Sequence, residues 1–147
     1  PAVAGVLADR MAALPLPPDA RVETRMVVPV PTTPLRVRER GYNQASVLAH
    51  AVAERSGRHV LEALTRAGGA RSQTTLQPAA RRANVAGAFA LGPGMARSIA
   101  GEHVLLVDDV LTTGATIIAC SEALVEAGAR CVSALTFARA TGRLRLE

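Results

Sequence analysis

The sequence predicts an α/β fold with a central, mostly parallel sheet flanked by helices. Three observations predict it. Short apolar, β-branched runs alternate with segments of helical period. The run Val104–Val107 is continuously apolar, as a strand covered on both faces requires. That run ends in Asp108 and Asp109, and a Thr/Gly turn then leads into a helix. Open α/β sheets build ligand sites at such strand ends.

Taken in order, residues 2 to 14 place Val3, Val6, Leu7 and Leu14 on an amphipathic helix, stopped by Pro15, Pro17 and Pro18. Met26 to Val30 reads as a buried strand, and Pro29 to Pro34 as a rigid loop. From Tyr42 to Arg55, Ala45, Leu48, Ala49 and Val52 recur at offsets 0, 3, 4 and 7, which predicts a helix with one buried face. Asn43 suits its N-cap and Gly57 its end. Residues 59 to 65 form a second candidate strand.

The segment AGGARSQTTLQPAARRANVAGAF opens with Gly, Ser, Gln and Thr, and its first half reads as a mobile loop. Pro78 to Asn84 reads as a short helix, and residues 88 to 91 as an edge strand. Ala115 to Ala127 predicts a helix with Ile117, Cys120, Ser121 and Leu124 inward, closed by Gly128. Val132 to Ala138 is the last strand.

At 147 residues the chain reads as a single domain, with a helical lead-in over 1–25 and a core over 26–138. Hydrophobic residues make up 49% and aromatics 2%, so Leu, Val, Ile and Ala must fill the core. No apolar run approaches the roughly 20 residues of a membrane span, and no signal peptide is visible. The expectation is a cytoplasmic protein without a membrane partner. The two cysteines, Cys120 and Cys131, match no zinc spacing and read as small core residues.

The net charge is +5, and all 17 basic residues are arginines. An Arg-rich genome accounts for the bias in bulk. Locally, Arg grips phosphate bidentately. Nucleic acid is possible on charge alone but is not favoured, because Tyr42, Phe89 and Phe137 are the only aromatic residues available for base stacking.

The stretch HVLLVDDVLTTGAT carries the chemistry. A helix beginning near Ala115 offers unpaired N–H groups and a partial positive charge. Thr112, Thr113, Gly114, Ala115 and Thr116 therefore make a phosphate cradle of hydroxyls and backbone donors. Asp108 and Asp109 would repel that phosphate, so they suit a sugar diol or a Mg²⁺-bound ligand. A diol at one end and a phosphate at the other describe a ribose 5-phosphate. There is no GxxxxGK[ST] loop.

This stretch resembles the ribose-phosphate motif of the type I phosphoribosyltransferases, which bind phosphoribosyl pyrophosphate (PRPP) with Mg²⁺. VVPVPTTPLRVRERGYNQASVLAHAVA and RSQTTLQPAARRANVAGAF extend the likeness to the ComF-like (competence protein F, GntX-like) branch, over about residues 26 to 138. The resemblance implies the type I phosphoribosyltransferase fold with a mobile loop over the site, around Arg71 to Leu76. It assigns Asp108 and Asp109 to the ribose diol, and Thr112, Thr113, Gly114, Ala115 and Thr116 to the 5-phosphate. Pro31, Thr32 and Thr33 would face the pyrophosphate. Many ComF-like proteins also carry an N-terminal four-cysteine zinc module, and these residues contain none.

The implied reaction moves the 5-phosphoribosyl group to a nitrogen nucleophile, a base or amine, and releases pyrophosphate. Mg²⁺ would reach the site on PRPP oxygens, with Asp108 and Asp109 nearby and no direct protein ligand. With no Lys, arginines must neutralise the leaving group. Arg36, Arg38, Arg40, Arg71, Arg81 and Arg82 are the candidates, Arg40 on the pyrophosphate side and Arg71 in the loop being preferred. Asn43 and Gln44 can either cap a helix or contact ligand. His50 and His59 are placed on the surface or a strand edge, and His103 at the far end from the site.

Thr112 stands where 6-oxopurine enzymes place an acid, which weakens a hypoxanthine or guanine reading and leaves the acceptor unidentified. A hood for the acceptor would come from residues 1 to 25, 85 to 100, or those after Phe137. The alternative is a PRPP-binding regulator or DNA-uptake accessory protein without turnover. A homodimer is compatible with either.

Overall fold

The computed structural model describes residues 2–66 and 87–140. Arg71, Arg81, Arg82, the loop from Arg71 to Leu76 and the helix expected over Pro78 to Asn84 lie outside the described residues.

Two helices open the chain, α1 (Ala2–Ala12) and α2 (Pro18–Glu23). They are followed by β1 (Met26–Pro29), α3 (Pro34–Arg40), α4 (Gln44–Ser56), β2 (His59–Val60) and β3 (Leu64–Arg66). The second half holds β4 (Phe89–Leu91), α5 (Ala96–Ile99), β5 (His103–Leu111), α6 (Ala115–Glu126) and β6 (Cys131–Arg139). Four strands form one parallel sheet in the order β2-β1-β5-β6. β3 and β4 form a separate antiparallel pair.

The sheet buries both faces, and strand alternation sorts its residues between two cores. Val28, Val104 and Leu106 pack with Cys120 and Leu124 of α6, with Ile99 and with Phe89. Val27, Leu105 and Val107 pack with Leu48, Ala49 and Val52 of α4 and Met11 of α1. The α4 face predicted from spacing is the buried one: Ala45, Leu48, Ala49 and Val52 are all buried. Asn43 caps this helix and Gly57 ends it in the left-handed conformation, φ 66°.

Several elements differ from expectation. Pro18 does not only break a helix. It starts α2, because the first helical position needs no N–H and proline's fixed φ suits it. Pro34 likewise opens α3 within a segment read as loop, with the Thr33 side chain accepting from the Arg36 N–H at 3.3 Å. Among the described side chains of α1, which do not include Val3, Met11 is buried, while Val6 is 59% exposed and Leu14 lies exposed beyond the helix.

The strand read over 59–65 divides. β2 joins the main sheet, and β3 turns away to pair with β4, which is therefore no edge of the main sheet. Ser121 is only half-buried, whereas Ala119 is buried beside Cys120. Of the two cysteines, both free, Cys120 is buried and Cys131 is half-exposed.

β5 runs four residues past the apolar stretch. β1 accompanies it only to the pair Pro29–Val107, whereas β6 stays paired as far as Leu111–Arg139. The acids thus lie where β1 has left the sheet. The chain leaves β1 toward β2 on one side and β5 toward β6 on the other, so a crevice opens between β1 and β5 at their carboxyl ends. His103 sits at the opposite end of β5, buried, with its ring nitrogens bonded to Glu23 at 3.1 Å and Ser133 at 2.9 Å. His50 and His59 are exposed. Among the described residues no helix is long and apolar enough to cross a membrane.

Candidate functional site

A cavity of about 440 Å³ occupies that crevice. One wall is the end of β5 and its turn: Asp108, Asp109, Val110, Thr112 and Thr116. The facing wall follows β1: Val30, Pro31 and Thr32, then Arg36 and Arg40 of α3, and Tyr42 to Ala45 where α4 begins. Arg66 at the end of β3 completes the lining.

The acids are held by local backbone bonds. The Asp109 N–H donates to Asp108 Oδ1, and the Val110 N–H donates to Asp109 Oδ1, both at 2.8 Å. Asp108 shares the sheet face of Leu106, and its charge acts on Cys120 of α6. Burial pushes the Asp108 carboxyl up to about 7. The bond from the Asp109 N–H opposes this rise, and the Asp109 charge adds to it. A carboxyl poised near neutrality in a cleft is a mark of a functional site. Burial first, and the Asp108 charge second, push the Cys120 thiol up to about 12.

The turn after β5 rests on a left-handed glycine. Gly114 precedes α6 with φ 82°, a conformation other residues adopt at a cost. The Thr113 hydroxyl accepts from the Ala115 N–H at 3.3 Å. Thr112 and Thr116 line the cavity, whereas Thr113, Gly114 and Ala115 form the turn behind that lining.

On the facing wall, Pro31 and Thr32 line the cavity, while Thr33 is engaged as the N-cap of α3. The Arg40 guanidinium donates to the Gln44 side chain, tying the end of α3 to the start of α4. Asn43 Nδ2 donates to the Val30 carbonyl at 2.9 Å and its Oδ1 accepts from the Ala45 N–H, so both its polar atoms serve the scaffold. Arg38 is not in the lining.

Beside the aliphatic Val30, Ala45 and Val110, the lining adds two residues not assigned to the site from the sequence. Tyr42, 50% exposed, is an aromatic ring inside the site, outside the segments expected to supply a hood. Arg66 fell just outside the strand drawn over 59–65, and its place depends on β3 turning away to pair with β4. Among the described residues no group of three or more His, Cys, Asp or Glu is placed to hold a metal ion.

A family model described as phosphoribosyl transferase domain matches residues 4–146. The chain belongs to that family. Similar to this phosphoribosyl transferase domain is the DNA utilization protein YhgH of Salmonella typhi, 31% identical over 128 residues, or 86% of this chain and 52% of that protein. The protein of the same name from Escherichia coli O157:H7 is 32% identical over 107 residues, 72% of this chain and 45% of its own. The domain thus spans about half the length of the curated relatives it matches, and these relatives agree with the ComF-like resemblance of its sequence.

Among solved structures, the glutamine PRPP amidotransferase from B. subtilis complexed with ADP and GMP aligns with a TM-score of 0.59. Its identity is 23%, and the match covers 89% of this chain and 25% of that one. An allosteric regulatory enzyme of purine biosynthesis gives 0.57 at 23% identity, over 91% and 25%. These likenesses establish the fold, which is the phosphoribosyltransferase type expected from the sequence.

Proposed function

We propose that the domain binds PRPP with Mg²⁺ and transfers its 5-phosphoribosyl group to a nitrogen nucleophile, releasing pyrophosphate. The observation that carries this reading is the shared cavity: the acid pair with Thr112 and Thr116 on one wall, Arg36 and Arg40 on the other. Asp108 and Asp109 would accept from the ribose hydroxyls. Thr112 and Thr116, with the turn through Thr113, Gly114 and Ala115, would take the 5-phosphate. Pro31, Thr32, Arg36 and Arg40 would face the pyrophosphate, with Thr33 holding that wall in place.

The acid pair fits Mg²⁺ that arrives on ligand oxygens, since this ion keeps several waters and needs only one or two carboxylates nearby. When bound, Mg²⁺ would offset charge on the departing pyrophosphate. The nucleophile's lone pair would form a bond to C1 as the C1–O bond breaks and its electrons leave with pyrophosphate. The protein's share is positioning and fixed charge. Arginines supply the charge, because the chain has no lysine.

The test is to combine the protein with PRPP, Mg²⁺ and a panel of bases and amines, and to follow pyrophosphate release. Turnover with one acceptor supports the reading. PRPP binding without release for any acceptor overturns the enzyme and leaves a PRPP-binding regulator.

The name of the similar proteins favours a second reading, an accessory role in DNA utilization. The +5 charge permits it. Binding to duplex DNA that falls steeply and linearly on log–log axes with salt supports it, and absence of binding at moderate salt removes it.

A further inference from the structure

Arg66 and Phe89 are direct cross-strand partners in the β3–β4 pair. The guanidinium carbon lies 5.1 Å from the ring centroid. Phe89 is 6% exposed and part of the core beneath α6, so packing fixes the ring, and the ring in turn orients the guanidinium. The same guanidinium lines the cavity near Arg36 and Asp108.

Among the described residues Arg66 forms no ion pair with a carboxylate, and neither does Arg36. Burial, and then the charge of Arg36, make the Arg66 cation harder to hold. Two arginines that repel each other across a cleft are relieved by an anion bound between them. Arg36 stands in the first turn of α3, shortly after Pro31 and Thr32 in the chain, and lines the cavity with them.

We infer that Arg66 is a binding residue for the pyrophosphate end of the ligand, acting with Arg36, and that Phe89 is its positioning residue. The inference rests on the PRPP reading above and extends it. It also accounts for the phenylalanine of the Gly87-Ala88-Phe89 segment, which holds a cation that comes from an earlier strand. A guanidinium docked on a ring has already lost much of its rotamer freedom, so less entropy is lost when it meets phosphate.

The experiment titrates the whole chain, with Mg²⁺ present, with inorganic pyrophosphate and separately with ribose 5-phosphate, by calorimetry. Arg66→Met should weaken pyrophosphate about tenfold or more and leave ribose 5-phosphate within about twofold. Phe89→Leu should weaken pyrophosphate several-fold, and Phe89→Tyr should restore it, because the π face returns.

If the wild type binds ribose 5-phosphate but Arg66→Met does not change pyrophosphate binding, the inference fails and the site reading stands. The inference also fails, with the site reading intact, if the wild type binds ribose 5-phosphate but no pyrophosphate, or if Arg66→Met loses both ligands equally. If the wild type binds neither ligand, the site reading fails and the inference with it. Phe89→Leu binding pyrophosphate like the wild type would remove the positioning role.

Discussion

Asn43 clamps the first turn of α4 to the end of β1, donating from Nδ2 to the Val30 carbonyl at 2.9 Å while Oδ1 accepts from the Ala45 N–H at 3.2 Å. Val30 is 5% exposed, so water has little access to that carbonyl if the amide is removed. The bond also fixes where the chain turns into Pro31 and Thr32, the wall that faces the acids.

Replacing Asn43 with Asp separates its two jobs. The carboxylate can still cap α4, and its charge suits a helix N-terminus. It cannot donate to Val30, and it faces a carbonyl dipole. Asn43→Asp should cost ~1–3 kcal/mol in urea unfolding despite the retained cap. Asn43→Ala should cost at least as much, since it loses about 1 kcal/mol of capping as well. A neutral Asn43→Asp would show that the Val30 bond contributes nothing.

What could be read in advance divides along the range of the interaction. The caps of α4, its buried face and the apolar run of β5 were legible because each depends on neighbours within a few positions. So was the turn from Asp108 through Thr116, since its residues are contiguous, and four of those picked out in it line the cavity. Proline misled twice: Pro18 and Pro34 are compatible with both an end and a start, and the preceding Thr33 was the local sign of a start. Arg66 and Tyr42 were hidden for a different reason. Their place in the cavity follows from β3 leaving the main sheet and from α3 inserting before α4, and neither event leaves a pattern near these residues.

Gly114 separates strain from crowding. A Cβ added there would meet only Leu111 Cδ1, at 3.8 Å, which is ordinary contact. The φ of 82° is the obstacle. Gly114→Ala should therefore cost ~1–2 kcal/mol through backbone strain, and Gly114→Asn less, because Asn tolerates the left-handed region. Thermal melts give the order. Equal cost for both would mean that space, not φ, sets the requirement.

The two thiols should differ sharply in reactivity. Cys120 is 0% exposed, with its thiol pushed up to about 12 by burial and by Asp108. Cys131, at the start of β6, is half-exposed. Since the thiolate is the reactive species, iodoacetamide at pH 8 should label Cys131 first and reach Cys120 only on unfolding. Peptide mass spectrometry of the native protein checks this. Early labelling of Cys120 would show that the α6 face opens in solution and that the wall behind Asp108 is not closed.

The pH response of Asp108 ties stability to binding with opposite signs. Burial raises its pKa from 3.8 to about 7, so the folded state holds this proton more tightly than the unfolded chain does. The stability it contributes is fully present below pH 3.8 and is lost as pH rises to about 7. Asp108→Asn removes that decline and should make the ligand-free protein more stable at pH 8 by ~1–2 kcal/mol, a figure discounted because the carboxylate is only half-buried. The ionised carboxylate accepts from ribose hydroxyls more strongly than the neutral acid does. PRPP affinity should therefore rise as pH increases from 6 to 8, by at most about tenfold per unit below the pKa. The ligand's phosphates titrate near pH ~6 as well. The Asp108→Asn variant reports that part alone, so the difference between the two profiles belongs to Asp108. A wild-type profile that parallels the variant's across this range would remove Asp108 from contact with the diol.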